Sequence, residues 1–388
     1  MECFAKLLFW FNAFIIVWAM AGYPLSVILL GKIYPKRKMK KDYSHLPAVT
    51  VMVVAHNEEK VILDKLQNVL SLDYPKENIE FLVSSDNSTD RTNELVREFI
   101  GKHPEAKIRL YEVKERRGKT NAQNEAQKLV QTEFLVMTDA NAMLEQNAVR
   151  ELMASFTSGD IAYVCGKLSY TNPGASDSSH AENNYWEGEL AIRETEGRIQ
   201  TITAGNGALY ACRTNDYHDF EPMKCHDSEM PLYYGLAGRR AVANHDAVAY
   251  EKAGEEIGDE FARKVRMNRN ILKEILPDIR LLHVVRYRWF SYFYFGHRTC
   301  RYLLWLAHLA VLAANVFLFF ESWFYAVLLA GQTLFYLLAL VRIITGVKNR
   351  YLTMIYYYVM TVAAQWIAVY RQLTGKARPF WEKAQSTR

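Results

Sequence analysis

The sequence predicts an α/β domain, doubly wound on a mostly parallel sheet, held between membrane helices at the two ends of the chain. Three observations lead there. Short apolar runs alternate with amphipathic ones from Ala48 to Met137, the pattern of strand–helix–strand units that close by parallel crossovers. Polar chemistry gathers where each apolar run stops, which is the edge at which open α/β sheets bind ligands. Hydropathy is also uneven: charged residues crowd 36–288, whereas Leu7 to Leu30 and roughly Tyr302 to Tyr370 are apolar and aromatic.

A chain of 388 residues has room for one domain of about 200 to 250 residues plus those membrane segments. The net charge of +5 lies mostly beside the apolar segments, which reads as membrane flanking and argues against nucleic-acid binding. The five cysteines form no CxxC pair, which fits a reduced compartment and excludes a disulfide framework or structural zinc site.

Residues 1–31 are expected to be a transmembrane helix, because Leu7 to Leu30 carries no charge over about 24 positions and ~30 Å of hydrocarbon needs about 20. A cleaved signal peptide would be shorter and would end in small residues. Residues 32–46 form a basic linker with Lys36, Arg37, Lys38, Lys40 and Lys41, which places the following domain in the cytoplasm.

The domain is expected over 47–282. Ala48 to Ala55 is a β-branched buried strand ending at His56-Asn57-Glu58-Glu59, and Val61, Leu63, Leu66, Val69 and Leu70 follow at helical spacing. Ile79 to Ser84 is the second strand, ending at Ser85-Asp86-Asn87-Ser88-Thr89-Asp90. Lys107 to Tyr111 is the third, leading through Arg116-Arg117-Gly118-Lys119 to a helix from Asn121 to Val130. Phe134 to Met137 is the fourth, and it delivers Asp139-Ala140-Asn141. Two oxygen ligands one residue apart suit Mg2+ or Mn2+ that keeps waters and takes phosphate oxygens; an Asx turn capping a helix is the competing reading. Neither GxGxxG nor a P-loop occurs, which argues against dinucleotide oxidoreduction and P-loop hydrolysis.

Beyond Ala162 the alternation changes. Tyr163 to Tyr170 reads as a strand and Asn183 to Ile192 as a helix carrying Tyr185 and Trp186. Gly205-Asn206-Gly207-Ala208 permits close backbone approach to a substrate or forms an ordinary turn. His226-Asp227 offers an isolated acid. Arg263, Lys264, Arg266 and Arg269 put four cations into seven positions, and on a helix Arg263, Arg266 and Arg269 fall on adjoining turns of one face, either solvated or anion-binding. Residues 283–298 mix cations and aromatics as an interfacial helix does. Residues 299–371 hold three apolar segments near Tyr302 to Phe320, Trp323 to Ile344 and Met354 to Val369, and 372–388 is a basic tail. If all three crossed, the tail would lie outside, against the positive-inside rule; the polar-dotted Met354 to Val369 is therefore the segment expected to be interfacial or re-entrant.

In this order, Val53-Val54-Ala55-His56-Asn57-Glu58-Glu59, Ser85-Asp86-Asn87-Ser88-Thr89-Asp90, Gly118-Lys119 with Asn124, Thr138-Asp139-Ala140-Asn141, Gly205-Asn206-Gly207-Ala208, His226-Asp227 and Arg263-Lys264-Val265-Arg266-Met267 resemble the family 2 glycosyltransferases. The similarity is to membrane-embedded synthases of the hyaluronan, chitin-oligosaccharide and cellulose type. It implies a GT-A fold in a multi-pass plasma-membrane protein with its catalytic domain in the cytoplasm. It also implies a nucleotide-diphosphate sugar, usually a UDP-sugar, used with Mg2+ or Mn2+. Asp86 would contact the nucleoside, Lys119 the nucleotide, and Asp139 the metal and diphosphate. The donor set implied is Ala55, Asn57, Glu58, Asp86, Lys119, Asp139, Ala140, Arg263 and Arg266; the metal ligands are Asp139 and Asn141; Gly205, Asn206, Gly207 and Trp186 fall to the acceptor side.

The chemistry points the same way. A sugar hydroxyl is a poor nucleophile, so a carboxylate must take its proton as it attacks the anomeric carbon. Asp227 is the candidate base and Glu229 its competitor. Charge building on the departing diphosphate calls for a cation and arginines. Two departures matter: the second metal carboxylate of the family is the neutral Asn141, and the Trp of its (Gln/Arg)-x-x-Arg-Trp motif is Met267. The latter weakens the case for a polymerase. The acceptor is expected to be a polysaccharide or a lipid-linked molecule at the membrane, with single addition as one alternative and an inactive assembly scaffold as another. Self-association is compatible with either.

Overall fold

The computed structural model describes residues 1–34, 40–172, 177–252, 257–347 and 349–380, without the side chains of 177–187 and 257. Eight strands form one sheet: β1 (Val49–Ala55), β2 (Ile79–Ser85), β3 (Ile108–Glu112), β4 (Phe134–Asp139), β5 (Met143–Leu144), β6 (Ile161–Tyr170), β7 (Leu209–Arg213) and β8 (Arg240–Glu251). Their spatial order is β3-β2-β1-β4-β7-β6-β8-β5.

β3, β2, β1 and β4 are parallel, as their apolar runs predict. β1, β2 and β4 are buried on both faces, whereas β3, at the sheet edge, is partly exposed. Val49, Val51 and Val53 pack with Ile62, Leu66, Val69, Val96 and Phe99. Met52 and Val54 pack on the opposite face with Ala122 and Ala126. Two covered faces are why the strands read as continuous hydrophobic runs instead of alternating. The register aligns Ala55 with Ser85 and Val54 with Asp139, so the loops after β1, β2 and β4 open at one level.

Past β4 the sheet becomes mixed. β7 runs antiparallel to β4, β6 antiparallel to β7, and β8 parallel to β6. The Gly205–Ala208 stretch is thereby the lead-in to β7, the strand beside β4. β7 and β8 were not distinguishable as strands in the sequence, because Ala, Cys, Asn and His dilute their apolar pattern.

An unbroken helical run of 32 residues, Glu2–Ile33, leads into the domain. Trp323–Thr345 and Arg350–Leu373 are also long and apolar enough to cross a membrane, and Trp289–Tyr302 with Leu304–Leu318 makes a pair bent by 61°. Phe4, Leu7, Phe11, Phe14, Leu334 and Leu337 are exposed on these helices, as a lipid environment requires.

The path of the helices is fixed by their contacts. The Ile33 end lies at the α/β domain, where Arg198 donates to the Gly31 carbonyl at 2.9 Å. At the other end Phe9 packs on Leu318 and Tyr325. Leu304–Leu318 thus runs away from the domain and Trp323–Thr345 runs back. Arg350–Leu373 follows after a short turn and finishes at the domain, where Gln372 accepts from the Leu272 amide at 3.1 Å.

A buried polar joint fastens domain to helices. Tyr23 donates to Glu196 at 2.5 Å, and His297 lies 2.6 Å from Glu196 and 2.9 Å from Glu189. Glu189 also pairs with Arg301. Against the cost of burial, Arg301 and His297 hold the Glu189 carboxyl well below the usual range. In 283–298, Tyr287, Phe290, Phe293 and Tyr294 are buried, whereas Val284 and Val285 are exposed beside Arg286.

Candidate active site

The loops after β1, β2 and β4 meet the start of the Lys119–Gln127 helix. Asp86 directly follows β2 and is buried; its carboxylate accepts from the amides of Arg117 (3.2 Å) and Gly118 (2.9 Å). Gly118 caps the helix with φ 93°, a left-handed conformation that glycine adopts without steric cost. Ala55 accepts from the Asp86 amide at 2.8 Å. Asn57, itself at φ 55°, accepts from Thr89 N at 2.7 Å, and the Glu58 amide donates to Thr92 at 2.7 Å. Ala55, Asn57 and Glu58 thus stitch the first two strand-end loops together.

Lys119 is the first residue of that helix. Its ammonium is 2.5 Å from Asp139 and donates to the Gly207 carbonyl at 3.1 Å. Burial works against that charge, yet Asp139 and Asp227 raise the Lys119 pKa. Gly207 is the meeting point: a methyl group there would lie 3.0 Å from Lys119 Nζ and 3.8 Å from both Asp139 Oδ2 and Asp227 Cγ. Three residues predicted from separate stretches of sequence converge on one Cα.

Asp227 lies in the first turn of the His226–Leu236 helix and its carbonyl accepts from Gly205 N at 2.7 Å. The preceding loop is fixed from outside. Arg269 donates to the carbonyls of Met223 (2.8 Å) and Lys224 (3.1 Å), and Thr120 donates to Lys224 O at 2.6 Å. Glu229 is only 3% exposed and pairs with Lys224 at 3.0 Å, whereas Asp227 stays partly exposed, so the competition between the two carboxylates favours Asp227. His226, next to it, is pushed down to about 3 by burial and by Lys119, and shares a 2.7 Å hydrogen bond with Tyr217. It is neutral at physiological pH.

Arg266 lies in the last turn of the Ile257–Met267 helix, within electrostatic reach of Asp139. Burial, with Arg263 and Arg269 as neighbours, lowers its pKa to about 10, and Asp139 is among the groups that partly restore it. Arg263 instead grips Glu260 of its own helix through two hydrogen bonds of 2.7 and 3.0 Å. Asn206 turns inward, accepting from Ala208 N and Leu209 N at 3.2 Å, and a methyl at Gly205 would collide with Tyr163. These two build the β7 lead-in, and Gly207 is the glycine that borders the cluster. Ala140 is buried. The Trp186 side chain lies outside the described residues.

Among the described residues no group of three or more His, Cys, Asp and Glu side chains could hold a metal. Asp139 and Asn141 are partly exposed residues with side-chain oxygens on one turn, and the Asp139 carboxylate already faces a cation, the Lys119 ammonium. Two protein ligands fit a hard divalent ion that draws its other oxygens from a diphosphate and water. Sequence reasoning missed Thr120 and read Arg269 only as part of a basic helix face, since each acts through the backbone carbonyls of the loop at Met223 and Lys224.

Residues 50–214 match the family model described as glycosyl transferase family 2. A beta-monoglucosyldiacylglycerol synthase of Nostoc sp. is 27% identical over 194 residues, 49% of this chain and 40% of that protein. A poly-beta-1,6-N-acetyl-D-glucosamine synthase of Staphylococcus epidermidis is 28% identical over 118 residues, 30% of this chain and 27% of that one. The chain thus spans less than half the length of these relatives. A mannosyltransferase from Pyrobaculum calidifontis, solved with GDP-Man and Mn2+, superposes with a TM-score of 0.68 at 22% identity over 94% of this chain and 99% of that one. That likeness establishes the GT-A type of fold.

Proposed function

The chain carries a glycosyl transferase family 2 domain over residues 50–214, and from that premise we propose an inverting transferase. It moves a sugar from a nucleotide-diphosphate sugar, such as a UDP-sugar, to a hydroxyl of a membrane-bound acceptor. The observation that carries the reading is the convergence of Lys119, Asp139 and Asp227 around Gly207. Asp227 takes the proton of the acceptor hydroxyl as its oxygen attacks the anomeric carbon. The C–O bond to the diphosphate breaks in the same displacement, and an α-linked donor gives a β-linkage.

Lys119 and Arg266 receive the negative charge of the leaving diphosphate, and binding of the donor frees Lys119 from Asp139. Asp139 and Asn141 would hold Mg2+ or Mn2+, which supplies further charge neutralisation at the diphosphate; Mn2+ in the Pyrobaculum structure supports this. Asp86, locked onto the Gly118 loop, forms the floor of the nucleoside side, with Ala55, Asn57 and Glu58 setting the adjoining loop. Arg263 reaches the diphosphate only after leaving Glu260.

The domain organisation proposed keeps the boundaries 1–31, 32–46, 47–282, 283–298, 299–371 and 372–388. The proposal takes Glu2–Ile33, the bent pair Trp289–Tyr302 with Leu304–Leu318, and Trp323–Thr345 as the crossings; Arg350–Leu373, also long and apolar enough to cross, is assigned to the domain side so that the basic tail stays in the cytoplasm, as the positive-inside rule asks. A lipid acceptor is favoured over a growing polymer because Met267, 58% exposed, offers no flat ring for stacking on a sugar chain. The glucolipid synthase among the relatives supports the same choice. The test is nucleoside diphosphate release by the purified full chain from a panel of nucleotide sugars, with Mn2+ and membrane lipid extract. One donor consumed only with lipid supports the reading, and no turnover of any donor refutes it.

A further inference from the structure

Behind the Asp139-Ala140-Asn141 turn lies a lysine with no part in the account above. Lys65 is on the inner face of the Ile62–Leu70 helix, among Ile62, Leu66 and Val69, and is completely buried. An ammonium in such a place is costly unless hydrogen bonds replace its water. Its partners are a hydroxyl and a carbonyl, not a carboxylate: Thr138 Oγ1 at 3.0 Å and the backbone oxygen of Ala142.

Those two groups stand on either side of the turn. Thr138 precedes Asp139 at the end of β4, and Ala142 follows Asn141 just before β5. The same helix grips the exit of the turn a second time, since Asn68 donates to the Leu144 carbonyl and accepts from its amide, both at 2.8 Å. The turn is therefore closed from behind by one lysine amino group and continued by one amide side chain, both from the Ile62–Leu70 helix.

We propose that Lys65 is a positioning residue for the divalent cation. By tying Thr138 to Ala142 it keeps the Asp139 carboxylate and the Asn141 amide oxygen aimed at one point. The inference rests on the reading of Asp139 and Asn141 as metal ligands. Geometry matters more here than in a site with two carboxylates, because a neutral Asn141 attracts a cation only when its oxygen is already aimed. Electrostatics alone predicts no loss: whatever positive charge Lys65 carries behind the turn repels the cation, so its removal should leave binding equal or tighter.

The experiment is a Mn2+ titration followed by electron paramagnetic resonance, on the full chain in detergent with UDP or GDP present. It compares wild type with Lys65→Met, Thr138→Val and the double variant. Lys65→Met is expected to weaken Mn2+ by roughly 10- to 100-fold, the usual effect of losing a group that orients metal ligands, with nucleotide affinity in the absence of metal unchanged. Thr138→Val should weaken it less, and the double variant no more than Lys65→Met, since both cut one link. Thermal unfolding separates a misfolded variant, in which case Thr138→Val decides alone. Equal or tighter Mn2+ binding in the variants overturns the role of Lys65 and leaves the metal site standing. A wild type that takes up no Mn2+ overturns the metal site and this inference together.

Discussion

Gly207→Ala tests the convergence directly, because the space it fills is defined on three sides. The added methyl would sit 3.0 Å from Lys119 Nζ, tighter than ordinary contact, and 3.8 Å from Asp139 Oδ2 and Asp227 Cγ, within ordinary contact. The carboxylates need not move. The ammonium, at the end of a flexible chain, must give by a few tenths of an ångström, which threatens its 2.5 Å pair with Asp139 and its 3.1 Å bond to the Gly207 carbonyl. Gly207 is not among the positive-φ glycines, so backbone strain is absent and folding should survive. Any substrate group that approaches between Lys119 and Asp227 meets the methyl. A misplacement of about 1 Å in such a site costs on the order of 100-fold in rate, equivalent to about 2.7 kcal/mol of transition-state stabilisation. The assay is initial-rate diphosphate release with the active donor, beside thermal unfolding. A variant with a wild-type melting temperature and a rate within threefold of wild type would refute the claim that chemistry occurs at Gly207.

Further predictions concern pH, metal and topology. Burial and then Glu229 raise the Glu274 carboxyl to about 8. A raised folded pKa means that the folded state holds a proton the unfolded chain has lost, so stability falls as pH climbs from about 4.5 toward 8. Glu274→Gln should raise the melting temperature at pH 8 more than at pH 5, and an equal shift at both would contradict the burial argument. Chelation with EDTA should abolish donor turnover and Mn2+ should restore it; full activity in EDTA would remove the divalent ion from the account. In sealed inside-out vesicles, protease should cleave a tag placed after Arg388, whereas a fourth crossing would protect it.

The first half of the domain was legible because its physics is local. Parallel strands buried on both faces leave continuous runs such as Val49 to Ala55, and their ends carry Asp86 and Asp139 where the sheet places ligands. That Lys119 and Asp139 share one edge of the sheet was legible from the order of the strands; their direct pairing and the positive φ of Gly118 were not. The second half was less readable because its order depends on pairing across long separations. β7 and β8 join the sheet through β4 and β6, which no local pattern reveals. Asn206, legible as a substrate-side residue, instead satisfies the backbone of its own turn. Arg263 was placed by motif, yet its helix holds a buried Glu260 one turn away that binds it first. Lys65 was invisible for a similar reason: a lysine in an amphipathic run looks solvated until the β4–β5 turn folds over it.

The central claim is that Asp227 is the base of a sugar transfer at this cluster. Asp227→Asn keeps the shape and removes the proton acceptor, so the measurement is donor turnover and donor affinity in the full chain, wild type against variant. The account predicts donor affinity within about threefold of wild type and turnover reduced by roughly 100-fold or more, the scale of general base catalysis. Turnover in Asp227→Asn within tenfold of wild type, at unchanged donor affinity, would contradict it and move the search to another carboxylate.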